Sequence, residues 1–191
     1  MSEAILVTGV PGVGKTTLAL RVAEDVKARG YVVGGMITEE IRTRQVRTGF
    51  RILDLCTGTT GLLAHIDEKS GPKIGKYGVN LKDLEEVGVK AIVDSLSRPE
   101  VDLLVVDEIG PMEICSQKFR AAAKQAIVGN KPFLGTVQFN LWKRIPEILG
   151  LDAMPQIVEV TRGNRNRQAQ MVSGRILRRL CKLKGSVGAL E

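Results

Sequence analysis

Histidine, cysteine and aromatic residues are scarce in this 191-residue chain, which holds one His, three Cys, one Trp, two Tyr and four Phe. Cys56, Cys115 and Cys181 are odd in number and far apart, so they offer neither a disulfide framework nor the short spacing of a metal pair. His65 has no ligand-type partner at helical spacing, and these four residues are expected to be structural or merely exposed. No stretch nears the roughly 18 apolar residues that span a bilayer. The short run Ile5-Leu6-Val7 has no basic region ahead of it and leads into a glycine loop, which reads as a buried strand and not a signal peptide. A cytoplasmic protein without a membrane segment is the expectation. With aromatics at 4% and hydrophobic residues at 43%, the core must be built mainly from Val, Ile, Leu and Ala.

Acid is absent from one place in particular. Between Arg162 and Lys184 stand eight basic residues and no Asp or Glu, while the rest of the chain carries 20 basic against 21 acidic side chains. The net charge of +7 therefore belongs to one C-terminal segment.

What is present alternates between apolar runs and amphipathic stretches. Ala4–Thr8 is β-rich. Lys15–Ala28 repeats Leu18, Val22 and Val26, with Ala19 and Ala23 beside them, on one helical face that Gly30 stops. Tyr31–Thr38 reads as a strand. Residues 39–78 break the alternation: Gly49–Leu55 is a half-exposed strand, Arg42–Thr48 a hairpin tip and Gly58–Gly75 loop-rich, together a hairpin and loop inserted into the main fold. Asn80 can cap a helix over Leu81–Leu96, and Val101–Val106 is a strand covered on both faces. Ser116–Val128 and Leu141–Leu149 read as helices, Phe133–Val137 and Ile157–Thr161 as strands. Asn164 starts a last helix with the stripe Ala169, Val172, Ile176, Leu180 and Leu183. The pattern predicts one α/β domain over 1–191 with a mostly parallel sheet, helices on both faces and a basic C-terminal helix at 164–184.

Gly9-Val10-Pro11-Gly12-Val13-Gly14-Lys15-Thr16 fits the phosphate-loop pattern completely, with an apolar strand before it and an amphipathic helix after it. Glycines there let the backbone bring its N–H groups close to phosphate oxygens, and the following helix adds its positive end. Lys15 can reach the β- and γ-phosphates, Thr16 offers a hydroxyl to magnesium, and Thr17 faces the α-phosphate. A second motif, Leu103-Leu104-Val105-Val106-Asp107-Glu108, puts two acids at the carboxyl end of a buried strand, where open α/β sheets place ligands. Asp107 is then a candidate for magnesium, and Glu108 for orienting or deprotonating water. Such a pair of acids also predicts a strand lying between the two motif strands. No Asn-Lys-x-Asp guanine-reading motif occurs, so broad base tolerance is expected.

In order along residues 4–167, these segments together with Gly34–Arg42, Gly49-Phe50, Gly75-Lys76-Tyr77, Asp107–Glu113, Gly135-Thr136 and Val160–Arg165 resemble the small nucleoside-triphosphatases of thermophiles, a group that includes the cancer-related nucleoside-triphosphatase. The resemblance implies a three-layer, RecA-like P-loop NTPase fold and slow, magnesium-dependent hydrolysis of several nucleoside triphosphates. It carries Lys15, Thr16, Asp107 and Glu108 over to the family's phosphate-loop and paired-acid positions. Two departures stand out. Pro111 replaces a lysine common in the family, and Arg162-Gly163-Asn164 replaces a more acidic stretch.

Arg162, Arg165 and Arg167 are candidates to neutralise charge on the departing γ-phosphoryl, Arg165 foremost; Arg42 and Arg47 are alternatives, and a solvated basic turn is the plain reading. Glu39 and Glu40 stand near the site or in ion pairs with arginines. Lys76-Tyr77 packs on the nucleotide or anchors the insertion. Thr136 and Gln138 are candidates to sense the γ-phosphate. Two rivals to hydrolysis remain. One is a nucleotide or small-molecule kinase, since Val7–Thr17 also resembles the loop of archaeal adenylate kinases. The other is an ATP-dependent nucleic-acid-binding module using Arg162–Lys184, disfavoured because no aromatic follows Trp142 to stack on bases.

Overall fold

Every residue of β1 (Ile5–Thr8) is buried, because it is paired on both edges and covered on both faces. This computed structural model describes residues 4–187, so the two ends of the 1–191 domain expected above, residues 1–3 and 188–191, lie outside the described residues. After the glycine loop, α1 (Lys15–Lys27) buries Leu18, Ala19, Val22, Ala23 and Val26 on one side. β2 (Val33–Thr43) is longer than its sequence suggests, because its polar second half pairs with β3 (Val46–Asp54). The turn between them narrows to Arg44 and Gln45, both with positive φ, as the right-handed twist of a tight hairpin asks.

The stretch Gly58–Gly75 is not simply loop. It contains β4 (Thr60–His65) and β5 (Lys73–Ile74), followed by β6 (Tyr77–Val79). β4 pairs with β3 and β6, and β5 with β6, so these strands continue the main sheet instead of forming a separate appendage. Tyr77 anchors them: its ring meets Phe50 edge-on at 5.3 Å, and its hydroxyl accepts a bond from Arg47 Nε at 3.1 Å.

Asn80 Oδ1 accepts from Asp83 N at 3.0 Å and starts α2 (Leu81–Asp83), which runs through a π-helical turn at Leu84–Val89 into α3 (Lys90–Ser97). β7 (Leu103–Ile109) precedes a 3-10 turn at Glu113–Cys115. Ser116 then caps α4 (Gln117–Val128) by accepting from Phe119 N at 3.1 Å. β8 (Phe133–Val137), a 3-10 turn at Trp142–Arg144, α5 (Ile145–Leu149), β9 (Gln156–Glu159) and α6 (Arg165–Val187) complete the described chain.

The sheet order is β5-β6-β4-β3-β2-β7-β8-β1-β9. The five strands from β2 to β9 are parallel, as expected of the main sheet, and the other four extend it with antiparallel pairing. α3, α4 and α5 pack on one face, where Met36, Leu104, Val106, Ile92 and Phe119 meet. α1 and α6 cover the other with Val7, Leu18, Val22, Val172 and Ile176. The result is three layers. β8 lies between β1 and β7, with Val7 opposite Thr136 and Val106 opposite Gly135. Both motif strands therefore end at the same edge of the sheet, one strand apart.

Candidate functional site

The edge where β1, β8 and β7 end is the place a ligand meets an open parallel sheet. There the glycine loop leaves β1. Gly9 has φ 154°, and a Cβ on it would stand 2.5 Å from the Val160 carbonyl oxygen, so the loop is threaded between β1 and the end of β9 in a space that only glycine fits. Gly14, at φ 106°, turns the chain into α1. Val13 is buried in the core on the α1 face, while Val10, Pro11, Gly12 and Thr17 stand exposed at the rim. The loop is pinned from below and open above, with the first amides of α1 left free of any side-chain cap.

Lys15 is buried, with Nζ 3.4 Å from the Gly9 carbonyl oxygen and 3.7 Å from Glu108 Oε1. Its ammonium curls back over the loop where a phosphate would sit. Asp107 is fully buried, and its Oδ1 accepts from Thr16 Oγ1 at 3.2 Å and from Thr136 Oγ1 at 2.5 Å. Its other oxygen, Oδ2, has no hydrogen-bond partner. Burial pushes the Asp107 carboxyl up to about 6; the bonds from Thr136 and Thr16 pull it down, Glu108 pushes it up and Lys15 pulls it down. A buried carboxylate oxygen without a partner is costly, and a cation relieves that cost. Thr16 and Asp107 thus fit a magnesium ion. Among the described residues no three His, Cys, Asp or Glu side chains gather to hold a metal by themselves, so such an ion would complete its shell with phosphate and water.

Glu108 is about one-third exposed and faces the opening, not the core. Glu113, noted above only as the end of the Asp107–Glu113 segment, proves to be a buried neighbour of this pair. Its Oε2 accepts from Gly110 N at 3.0 Å. Burial above all raises its carboxyl to about 8, with the nearby Glu108 and Asp107 charges acting in the same direction and backbone N–H bonds acting against it. The available signal was an acid set between Met112 and Ile114 directly after a strand end.

The other candidates divide cleanly. Arg165 stands in the first turn of α6, where a Cβ on Gly14 would lie 3.9 Å from its Cδ, so it leans on the phosphate loop. Arg162 and Arg167 are exposed beside it. Asn164 is occupied in shaping that turn: Oδ1 accepts from Thr161 N at 2.8 Å, and Nδ2 donates to the Glu159 carbonyl at 3.1 Å. Arg42 and Arg47, the alternative arginines, are both paired with Glu40, and Arg47 also stacks over Phe50 at 5.1 Å. Glu39 is bonded to Arg51 at 2.6 Å. The Lys76 ammonium lies over the Tyr77 ring at 5.3 Å, on the sheet extension. Thr136 binds Asp107, and the Gln138 backbone donates to Ile109 O at 3.3 Å. Cys56, Cys115 and Cys181 are unbridged, and His65 Nδ1 accepts from Asp67 N at 3.2 Å. No helix among the described residues is long and apolar enough to cross a membrane.

Comparison with known proteins bears on the same residues. A profile of the NTPase family matches residues 4–173. Nucleoside-triphosphatase THEP1 of Methanosarcina acetivorans is 41% identical over 177 residues, covering 92% of this chain and 98% of that protein. Its namesake from Thermococcus kodakarensis is 38% identical over 188 residues, covering 97% and 100%. Among solved structures, the crystal structure of THEP1 from Aquifex aeolicus aligns with a TM-score of 0.71 at 31% identity, over 88% of this chain and 96% of that one. The solution structure of a human cancer-related nucleoside triphosphatase aligns with a TM-score of 0.75 at 31% identity, over 92% and 97%. With sequence, order of elements and fold in agreement over nearly the full length, this chain belongs to the NTPase family.

Proposed function

We propose that the protein is a magnesium-dependent nucleoside-triphosphatase that hydrolyses ATP, GTP and other nucleoside triphosphates to the diphosphate and phosphate, with little discrimination between bases. The observation that carries this reading is the meeting of the phosphate loop, Asp107 and Glu108 at one sheet edge, with Lys15 Nζ 3.7 Å from Glu108 Oε1. The hydrolytic names of the relatives support the reaction type.

The amides from Gly9 to Thr17 and the start of α1 receive the phosphate oxygens. Lys15 exchanges its contact with the Gly9 carbonyl for the β- and γ-oxygens and steadies the charge that develops between them. Thr16 and Asp107 would hold magnesium, which when bound neutralises charge across the β–γ bridge. Glu108 accepts a hydrogen bond from a water and aligns it with the γ-phosphorus. As the water oxygen bonds to phosphorus, Glu108 takes its proton. The bond to the β–γ bridging oxygen breaks, and the diphosphate departs with that electron pair. Arg165 meets the charge spreading over the γ-phosphoryl oxygens, a role worth about 10³–10⁵ in rate where an arginine fills it.

Phosphate release from ATP, GTP, CTP and UTP, with and without magnesium and then with candidate acceptors, tests the reading. Release from all four with magnesium alone is expected. Turnover that waits for an acceptor would make the protein a kinase. Glu108→Gln should keep nucleotide binding while turnover drops by about 100-fold or more; an unchanged rate removes Glu108 from the chemistry.

A further inference from the structure

β7 ends at Ile109, and the turn that follows it closes around one residue, Gly110. The Gly110 carbonyl oxygen accepts from Ile114 N at 3.1 Å, and its N–H donates to Glu113 Oε2 at 3.0 Å. Two further bonds tighten the same turn: Cys115 N donates to Met112 O at 3.3 Å, and Cys115 Sγ donates to Pro111 O at 3.1 Å. Glu113 is 4% exposed and lies between Met112 and Ile114, which pack against the cluster of Leu104, Val106 and Phe119. A buried acid is costly unless it stays neutral and hydrogen-bonded, and at this strand end its carboxyl serves Gly110 N.

Gly110 also separates this carboxyl from Glu108. A Cβ on Gly110 would stand 2.9 Å from Glu113 Oε2, and 3.7 Å and 3.9 Å from Cγ and Cδ of Glu108. Only a hydrogen fits between the two acids. Gly110 is not among the glycines with positive φ, so what calls for glycine here is the contact and not the backbone conformation. The Glu108 side chain is 31% exposed, and Lys15 Nζ at 3.7 Å is one support of its carboxylate; the Gly110 turn is the other. Burial, which raises the Glu113 carboxyl to about 8, leaves it neutral near pH 7, so the charge across Gly110 rests on Glu108 alone and the two acids do not repel.

We propose that Glu113 is a positioning residue for hydrolysis: by holding Gly110 N it fixes the turn against which Glu108 rests, and so fixes where the Glu108 carboxylate meets the attacking water, a role that rests on the reading of Glu108 as the group that aligns this water. On a loose turn the Glu108 side chain would spread over several staggered rotamers, of which only some face the γ-phosphorus. A misplacement of about 1 Å at the reacting atoms costs about 100-fold in rate. The phosphate loop is seated elsewhere, on the buried Val13 and against the Val160 carbonyl, so nucleotide affinity does not depend on Gly110. Loss of the Glu113 acceptor therefore falls on kcat and spares binding.

Steady-state phosphate release, with equilibrium binding of fluorescent ADP and ATP analogues, tests the role near neutral pH with magnesium. Glu113→Leu fills the space but leaves Gly110 N without an acceptor, and should lower kcat by about 100-fold with nucleotide affinity unchanged. Glu113→Gln returns the acceptor and should recover most of that loss. Gly110→Ala presses a methyl between the two acids and should reproduce the kcat defect with Glu113 still in place, which keeps the test decisive if the leucine variant folds poorly. In a Glu108→Gln background Glu113→Leu should cost nothing more, because its effect passes through Glu108; a purely structural role would lower turnover by the same factor in either background. The proposal falls if Glu113→Leu and Gly110→Ala both turn over at the wild-type rate, if Glu113→Gln is as impaired as Glu113→Leu, or if the losses at Glu113 and Glu108 multiply. A wild type that releases no phosphate from any triphosphate sinks the hydrolytic reading and this role with it, whereas an active wild type with unimpaired variants sinks the role of Glu113 alone.

Discussion

Replacing Glu113 by glutamine tests whether a proton is stored beneath the paired acids. In the folded protein this carboxyl is buried, bonded to Gly110 N and raised from 4.5 to about 8. An unfolded chain releases the proton near 4.5, whereas the folded one holds it up to about 8. Over that interval the unfolded state binds fewer protons, so stability falls as pH rises. The loss accumulates at about 1.4 kcal/mol per pH unit and reaches on the order of 5 kcal/mol across the whole interval. Glutamine keeps an acceptor for Gly110 N and resembles the protonated acid in shape, yet it has no proton to lose. Wild type and Glu113→Gln should be similar near pH 4.5 and diverge as pH rises, with the variant more stable by several kcal/mol near pH 8. Urea unfolding of the nucleotide-free protein at pH 5, 6, 7 and 8 measures the divergence directly. Asp107, also raised by burial, titrates below the point where Glu113 ionises, facing a neutral group in both proteins, so its contribution largely cancels in the difference. Parallel curves for the two proteins would show that Glu113 is ionised in the fold and refute the reasoning.

Three further substitutions separate scaffold from chemistry. Gly9→Ala drives a methyl into the Val160 carbonyl and strains the backbone, so a stability loss of about 1–3 kcal/mol with weakened nucleotide binding is expected; Gly163→Ala, with open space around it, serves as the control and should shift denaturant midpoints negligibly. Arg47→Ala removes a hydrogen bond and ring contacts to Phe50 and Tyr77 and should cost about 1–2 kcal/mol in unfolding experiments. Its steady-state turnover should stay at the wild-type level, and a thousandfold drop would restore Arg47 as a finger. Arg165→Ala should lower kcat by about 10³ with a smaller change in KM; an unaltered kcat leaves that side chain as packing on the loop.

What the sequence discloses follows from how local each signal is. A strand buried on both faces is a continuous apolar run, so Val101–Val106 and the acids after it can be read directly. The phosphate loop is equally local. β4 is harder, since Thr60–His65 is only partly buried, sits among glycines and pairs with β3 across a bulge at Phe50/Arg51, so neither alternation nor length marks it. The outer half of β2 reads as polar loop because Glu39, Glu40 and Arg42 are satisfied by ion pairs within the hairpin, a kind of stability that leaves no hydrophobic period. Long-range polar contacts are the least visible. Nothing near Thr136 in the chain reveals that its hydroxyl reaches Asp107, and only the apolar neighbours Met112 and Ile114 hint that the Glu113 carboxyl is enclosed.

On the proposed reading, those enclosed groups bear on how substrate and metal would bind together. Near neutral pH Asp107, titrating at about 6, is mostly charged, and Glu113, at about 8, is mostly neutral. The loop edge then sets Asp107 and Glu108 against Lys15 and the Arg165 side chain that leans on the loop, so the paired acids are roughly balanced before any phosphate arrives. A bare triphosphate would add several more negative charges in a place where burial weakens solvent screening. Among the described residues, a lone divalent ion at the proposed site would find Asp107 and Thr16 as protein ligands, too few for a hard cation that prefers six oxygens. Each alone is poorly held, but together the phosphate oxygens complete the shell of the ion and the ion offsets the acids. On that reading the unpartnered, buried Asp107 Oδ2 is the atom whose cost a cation held by phosphate oxygens would offset.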